Sequence, residues 1–241
     1  MIFENKIGTK LNKGILLRRY KRFLADVELD NGEVKTMFVP NTGSMKSCLF
    51  PKTTCYFSTT PSDKRKYDST LQLLSDEDGK TFIGINTHLT NSLVQEFILN
   101  DSLNKIITKE EIKLLKPEFK IGKSRFDFYI ESVKGERILI EVKNVTMKSD
   151  QAATFPDAVS TRGQKHLKEL AELKGEYDRC IQFYLIQREN LTSFSFAHDI
   201  DPDYFTFAKQ AKKAGVEFLA FTCSLSPLKI ELKEEIPIQW T

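Results

Sequence analysis

The chain has 241 residues, with 36 Lys and Arg against 33 Asp and Glu, a net charge of +3 and 40% hydrophobic residues, 18 of them Phe. That length holds one large domain or two small ones with a substantial core, and the mildly basic balance admits nucleic acid as a partner without demanding it. Cys48, Cys55, Cys180 and Cys223 show neither CxxC spacing nor clustered His, which argues against zinc and for reduced core thiols of a cytoplasmic protein; no run approaches the roughly 18 apolar residues of a membrane span, and residues 1–6 lack the apolar core of a secretion signal.

In chain order, the first third reads as strands. Residues 15–29 form one long extended run, the Asn31-Gly32 pair marks a hairpin, and residues 34–39 return. Further strands are expected at 54–59, 71–74 and 81–85, the last two flanking a turn at 76–79. Five or so short strands with tight turns predict a small closed barrel of OB type. Along the first strand Arg18, Tyr20 and Arg22 share one face, and Arg19, Lys21 and Phe23 the other. Cations interleaved with rings suit a groove that tracks a nucleic-acid strand. Lys64, Arg65 and Lys66, followed by Tyr67, form a second basic cluster. The plainer reading of both clusters is a solvated barrel face.

From about residue 86 the pattern changes. Asn91 is placed to cap a helix that buries Leu93, Val94, Phe97 and Ile98. Glu96 falls roughly 130° from the centre of that apolar face, as a solvated flank residue or as a third acid reaching the next feature. A mixed segment, 106–115, leads to a hairpin of residues 125–130 and 138–143 around a turn at 134–136. Glu141 and Lys143 share a strand face, and Asp127 on the partner strand can return to Glu141. Two carboxylates and an ammonium at the end of an apolar sheet fit a Mg²⁺ site with a lysine beside a scissile phosphate. The plainer reading is a strand-end Glu–Lys pair.

Residues 144–157 read as a polar loop. Thr161 with Gln164 resembles a capping box opening a helix that carries His166, Leu167, Leu170 and Leu173 and ends at Gly175. Arg162, Gln164, Lys165 and His166 fall in its first turns, where free N–H groups favour phosphate; Gln164 as a simple cap and His166 as an ordinary helical histidine are the alternatives. A buried strand at 180–187, a helix capped by Asp201-Pro202 that runs to 213 and stops at Gly215, and a last strand at 216–223 complete the pattern. His88 and His198 show no partner, and Trp240 no role. Helix, three strands, helix, strand, helix, strand describes a mixed α/β domain. The division is expected near residues 80–90, giving an OB-like barrel over 1–84 and an α/β domain over 85–241 that pack closely.

Asp127 with Glu141-Val142-Lys143, set among those elements, resembles the PD-(D/E)XK nuclease core. Residues 19–27, 40–45, 64–67, 140–146 and 155–167 are similar to the sugar fermentation stimulation protein A (SfsA) family, and these segments span most of the chain. The resemblance implies an N-terminal OB-like barrel followed by a PD-(D/E)XK nuclease-like α/β domain, and binding to DNA with little sequence specificity. It implies Mg²⁺ or Mn²⁺ on Asp127 and Glu141, joined by Glu96 as an extra acid, with Lys143 catalytic. It also implies Gln164 as a residue supporting the site; Asp157 and His166 are expected to support it too, and Arg125 and Arg162 are expected to meet phosphates beside it. Phe126 stands where the nuclease pattern often has Pro. The expected function is a Mg²⁺-dependent endo- or exonuclease. The alternatives are a non-catalytic DNA-binding regulator of sugar (maltose) metabolism genes and, with least support in the residues, a carbohydrate-binding protein.

Overall fold

The computed structural model describes residues 10–61 and 66–241. Strands β1 (Asn12–Tyr20), β2 (Leu24–Glu28), β3 (Val34–Phe38), β4 (Thr54–Thr59) and β5 (Ser69–Ser75) pair in the order β3-β2-β1-β4-β5. A parallel pairing of Phe38 with Thr70 joins β3 to β5 and closes the barrel. A short β6 (Phe82–Gly84) lies on β5. Inward residues such as Leu16, Val27, Met37, Phe57 and Leu71 fill the interior.

The run expected over 15–29 is broken. Lys21 and Arg22 both take left-handed backbone angles (φ 47° and 62°), and the chain reverses there. Neither residue is the Gly or Asn that normally marks such a turn, so the sequence shows no punctuation. The expected Asn31-Gly32 turn forms, with Gly32 at φ 81°.

The second part is built on a six-stranded sheet. Helix α1 (Thr90–Leu99) precedes β7 (Ile112–Ile121), β8 (Ser124–Ser132) and β9 (Arg137–Val145), and the pairs β10 (Lys148–Ser149) and β11 (Ala152–Phe155) follow. Helix α2 (Thr161–Leu173), β12 (Arg179–Ile186), β13 (Ser193–Phe196), α3 (Pro202–Lys213), β14 (Glu217–Leu225), β15 (Ile230–Glu235) and β16 (Ile238–Gln239) complete it. The main sheet runs β15-β14-β12-β9-β8-β7, with β12 parallel to both β9 and β14. Alternation along β9 sends Ile138, Ile140 and Val142 to the face covered by α1, and Leu139 and Val145 to the face covered by α2 and α3.

Four local expectations are corrected. Ser160, one residue before Thr161, caps α2 by accepting from Gly163 N at 3.1 Å. Asn91 lies inside α1 rather than at its cap. The polar stretch 144–157 contains β10 and β11, which join β13 and β16 in a small second sheet. Nor is β14 the last strand: β15 pairs antiparallel with it, and Trp240 beyond β16 packs its ring 5.0 Å from both Phe196 and Phe218. These strands are short or polar, and the second sheet joins β11, β13 and β16 from distant segments, so they carry no local period.

The two parts share backbone and buried charge. Gly84 N donates to Gln187 O at 2.8 Å. Arg188, fully buried, makes bonds of 2.8 and 2.6 Å to the Asp76 carboxylate and also donates to Ser47 O and Thr146 O. No described helix is long and apolar enough to cross a membrane.

Candidate active site

The hairpin of β8 and β9 pairs only as far as Phe128 with Ile140. Beyond that the strands part, and the Asp127 side chain fills the gap, its Oδ2 accepting Val142 N at 2.7 Å. Its Oδ1 accepts Asn91 Nδ2 from α1, also at 2.7 Å. Glu141, the next inward residue on β9, is 2% exposed. Its Oε1 accepts Lys143 Nζ at 2.5 Å and meets His166 Nδ1 from α2. A carboxylate can only accept, so that ring nitrogen carries the proton. Gln182 on β12 donates Nε2 to Glu141 O at 3.1 Å.

The two carboxyl groups diverge in acidity. Burial pushes Asp127 above the ordinary Asp range, and the charge of Glu141 adds to it, against the bonds from Val142 and Asn91. Burial also pushes Glu141 upward, but Lys143 and His166 together outweigh it and hold the group below the usual Glu range. Glu141 Oε2 is buried and meets no hydrogen-bond partner among the described residues, and the same holds for Gln182 Oε1. A cavity of about 320 Å³ opens onto Asp127, Glu141 and Lys143, with Arg162 and Ser160 from the start of α2 and Thr42 from the barrel on its walls.

Both parts of the chain match known families. A model described as "Sugar fermentation stimulation protein RE domain" covers residues 88–229, and one described as "SfsA N-terminal OB domain" covers 17–85. The chain belongs to the SfsA family. Relatives include "Sugar fermentation stimulation protein homolog" of Shewanella baltica (strain OS155 / ATCC BAA-1091), 42% identical over 229 residues, covering 93% of this chain and 95% of the relative. The homolog of Shewanella frigidimarina (strain NCIMB 400) is 43% identical over 224 residues, covering 92% and 94%. Among solved structures, "The structure of Pyrococcus Furiosus SfsA in complex with Ca2+" superposes with a TM-score of 0.83 at 27% identity, covering 96% of both chains.

In this SfsA-family chain the remaining residues singled out by sequence separate into groups. Glu96 is half-buried on α1 and does not line the cavity. Five residues after Asn91, it points about 140° away around the helix. Among the described residues no three His, Cys, Asp or Glu converge as a metal cluster, so the acidic pair stands without a third acid. Gln164 turns from the carboxylates and donates to Asp201 Oδ1 at 2.8 Å, tying α2 to the cap of α3. Asp157 faces the barrel, accepting Met45 N at 3.3 Å and Ser44 Oγ at 3.4 Å.

Of the basic residues, Arg162 is exposed at the cavity wall, and Arg125 is exposed in an ion pair of 2.8 Å with Glu118. Lys21 and Arg22 sit exposed in the β1–β2 turn. Arg18 bonds Asp26 at 2.8 Å. Arg19 serves the fold: it donates to the carbonyls of Asn41, Gly43 and Ser44, holding the loop that brings Thr42 to the cavity. Lys66 is exposed over the Tyr67 ring, and Lys64 and Arg65 lie outside the described residues. Sequence reasoning missed Asn91 as a contact of Asp127 and Gln182 as a contact of Glu141. A fully buried Gln in the run 180–187 was the one available signal, since a buried amide needs partners.

Proposed function

We propose that this chain is a divalent-cation-dependent nuclease that acts on DNA with little sequence preference. The observation that carries this reading is the buried pair Asp127–Glu141 beside Lys143, with Glu141 Oε2 lacking any hydrogen-bond partner among the described residues. A buried anionic oxygen without a donor is costly, and a hard cation resolves it. Mg²⁺ or Mn²⁺ needs only one or two carboxylates from the protein, so the absence of a third acid does not count against the donor set. The Ca²⁺ named for the Pyrococcus relative supports the same class of ion.

Asp127 and Glu141 would hold the cation. When bound, it supplies Lewis-acid charge that offsets negative charge developing on a phosphodiester. Asn91 and Val142 N fix the direction of Asp127, and His166 fixes Glu141. The Lys143 ammonium, 15% exposed, is a point charge beside Glu141 and would meet an incoming phosphate oxygen. Arg162 on the cavity wall, and the exposed Lys21 and Arg22 of the barrel, meet backbone phosphates.

The test is a cleavage assay on labelled single- and double-stranded DNA with Mg²⁺, Mn²⁺ or EDTA, comparing wild type, Glu141→Ala and Lys143→Ala. Metal-dependent cleavage by wild type, lost in both variants while DNA binding persists, is expected. Equal cleavage by wild type and Glu141→Ala removes the assignment.

One observation favours a second reading, a non-catalytic DNA-binding regulator. Lys143 already offsets the charge of Glu141 Oε1 and His166 bonds the same oxygen, so the cluster can stand as a closed network. That reading expects salt-sensitive DNA binding without turnover in any metal.

A further inference from the structure

A second cavity, of about 630 Å³, lies on the barrel at the point where β3 and β5 close it. Its walls are rings: Phe38 on β3, Tyr67 before β5, and His88 in the short helical turn that follows β6. Phe38 and His88 have ring centroids 6.3 Å apart. Phe38 also stacks on Phe23, with centroids 6.4 Å apart, and Phe23 is 38% exposed in the turn that carries Lys21 and Arg22. A row of rings, exposed at Phe23 and half-buried at Phe38, thus connects the basic turn with the cavity.

The floor is polar and pre-ordered. Gln72, Ser58 and Asn86 are all buried. Asn86 Nδ2 donates to Gln72 Oε1 at 2.7 Å, Gln72 Nε2 donates to Ser58 Oγ at 2.9 Å, and Asn86 Oδ1 accepts His88 N at 3.0 Å. Each amide nitrogen uses one of its two N–H groups in this chain, and the Ser58 hydroxyl, while accepting, keeps its own proton to donate. Buried amides fixed in this way present directed donors to whatever enters. Lys66 stands over the Tyr67 ring at 5.6 Å, and among the described residues no carboxylate lines the cavity. Flat walls, a floor of fixed donors and the Lys66 cation at the rim match a planar heteroaromatic ring attached to a phosphate chain.

The cavity also borders the candidate active site. Asn86 and His88 line the barrel cavity, and Thr87 between them lines the cavity that holds Asp127 and Glu141. Successive residues of one turn therefore face the two spaces.

We propose that the barrel cavity binds an unpaired nucleobase, seating a single strand or a flipped nucleotide so that the adjoining backbone passes the carboxylate pair. This rests on the nucleic-acid reading above and adds to it the form of the substrate: one unstacked base, held by the barrel and not by the nuclease-like part.

The experiment is fluorescence anisotropy with a labelled oligothymidylate of about 12 nucleotides and an abasic strand of equal length and charge, at fixed salt. Wild type is expected to bind the intact strand about tenfold more tightly than the abasic one. Tyr67→Ala and Phe23→Ala, at loop positions outside the barrel core, should each remove most of that preference, and Tyr67→Phe should keep it, because stacking needs the ring and not the hydroxyl. Melting temperatures of the variants verify folding. Equal affinity of wild type for both strands, or a preference untouched by Tyr67→Ala and Phe23→Ala, overturns the proposal. If metal-dependent cleavage of duplex persists in that case, the nuclease reading stands and the base site alone fails. Failure of wild type to bind either strand overturns the base site, and failure to cleave duplex in any metal as well overturns both.

Discussion

Asn91 on α1 and Asp127 on β8 are joined by a 2.7 Å hydrogen bond across 36 positions of sequence. With Val142 N on the other oxygen, the Asp127 carboxylate is held at both oxygens on the wall of the cavity it shares with Glu141. A carboxylate prevented from turning is what a cation site requires. Asn91→Ala should therefore weaken divalent-cation affinity about tenfold while Asp127 itself remains. A Ca²⁺ titration of the melting temperature reads this directly, because an ion that binds only the folded state raises stability. Identical titration curves for wild type and variant would remove Asn91 from the site.

Arg188 and Asp76 form a buried ion pair between the α/β part and the barrel. Arg188→Ala leaves Asp76 charged, buried and short of its two best donors. The expected cost is about 3–5 kcal/mol by urea unfolding. Removing both charges in Arg188→Met with Asp76→Leu should cost clearly less than Arg188→Ala alone. A double variant as unstable as the sum of the singles would show that the pair is not acting as a unit.

Asp26 gives the protein a pH dependence at low pH. Burial pushes its pKa up, but bonds from Arg18, Thr36 and Tyr20 outweigh that and hold it below the ordinary Asp value. A carboxyl group more acidic folded than unfolded stabilises the fold above its unfolded pKa of 3.8 and loses that contribution as pH falls through the folded value. Asp26→Asn should be less stable than wild type by about 1 kcal/mol at about pH 7, and the gap should close toward about pH 3. Denaturation curves at the two pH values test this; a gap that widens on acidification contradicts it.

Gly43 leaves space for the Asp157 carboxylate, and a Cβ there would stand 2.2 Å from Asp157 Oδ2. Gly43→Ala must displace Asp157 or the loop that Arg19 holds, at an expected cost of about 1–3 kcal/mol. In an Asp157→Ala background the same substitution should cost much less. Equal costs in the two backgrounds, read by thermal or urea unfolding, would mean the crowding lies elsewhere.

Local pattern carried much of the architecture. Alternation and the Asn31-Gly32 turn marked the barrel strands, Leu93, Val94, Phe97 and Ile98 marked α1, and Asp201-Pro202 with Gly215 marked both ends of α3. The spacing Glu141-Val142-Lys143 placed the two charged side chains on one strand face, because strand period is a property of the backbone alone. The signals failed where a second segment decides the outcome. The Lys21-Arg22 reversal has no Gly or Asn to announce it, and β10, β11, β13 and β16 are strands only because they find each other.

What the sequence determined by itself was the set of chemistries available: strands that close a barrel, a helical and stranded second half, and a carboxylate and a lysine side by side on β9. Which groups share a proton, a charge or a cavity was decided only in the folded chain. Asn91 reaches Asp127, His166 reaches Glu141, and Arg19 turns to loop carbonyls instead of solvent. Hydrogen bonds and burial act within a few ångströms, and only packing brings residues dozens of positions apart to that range.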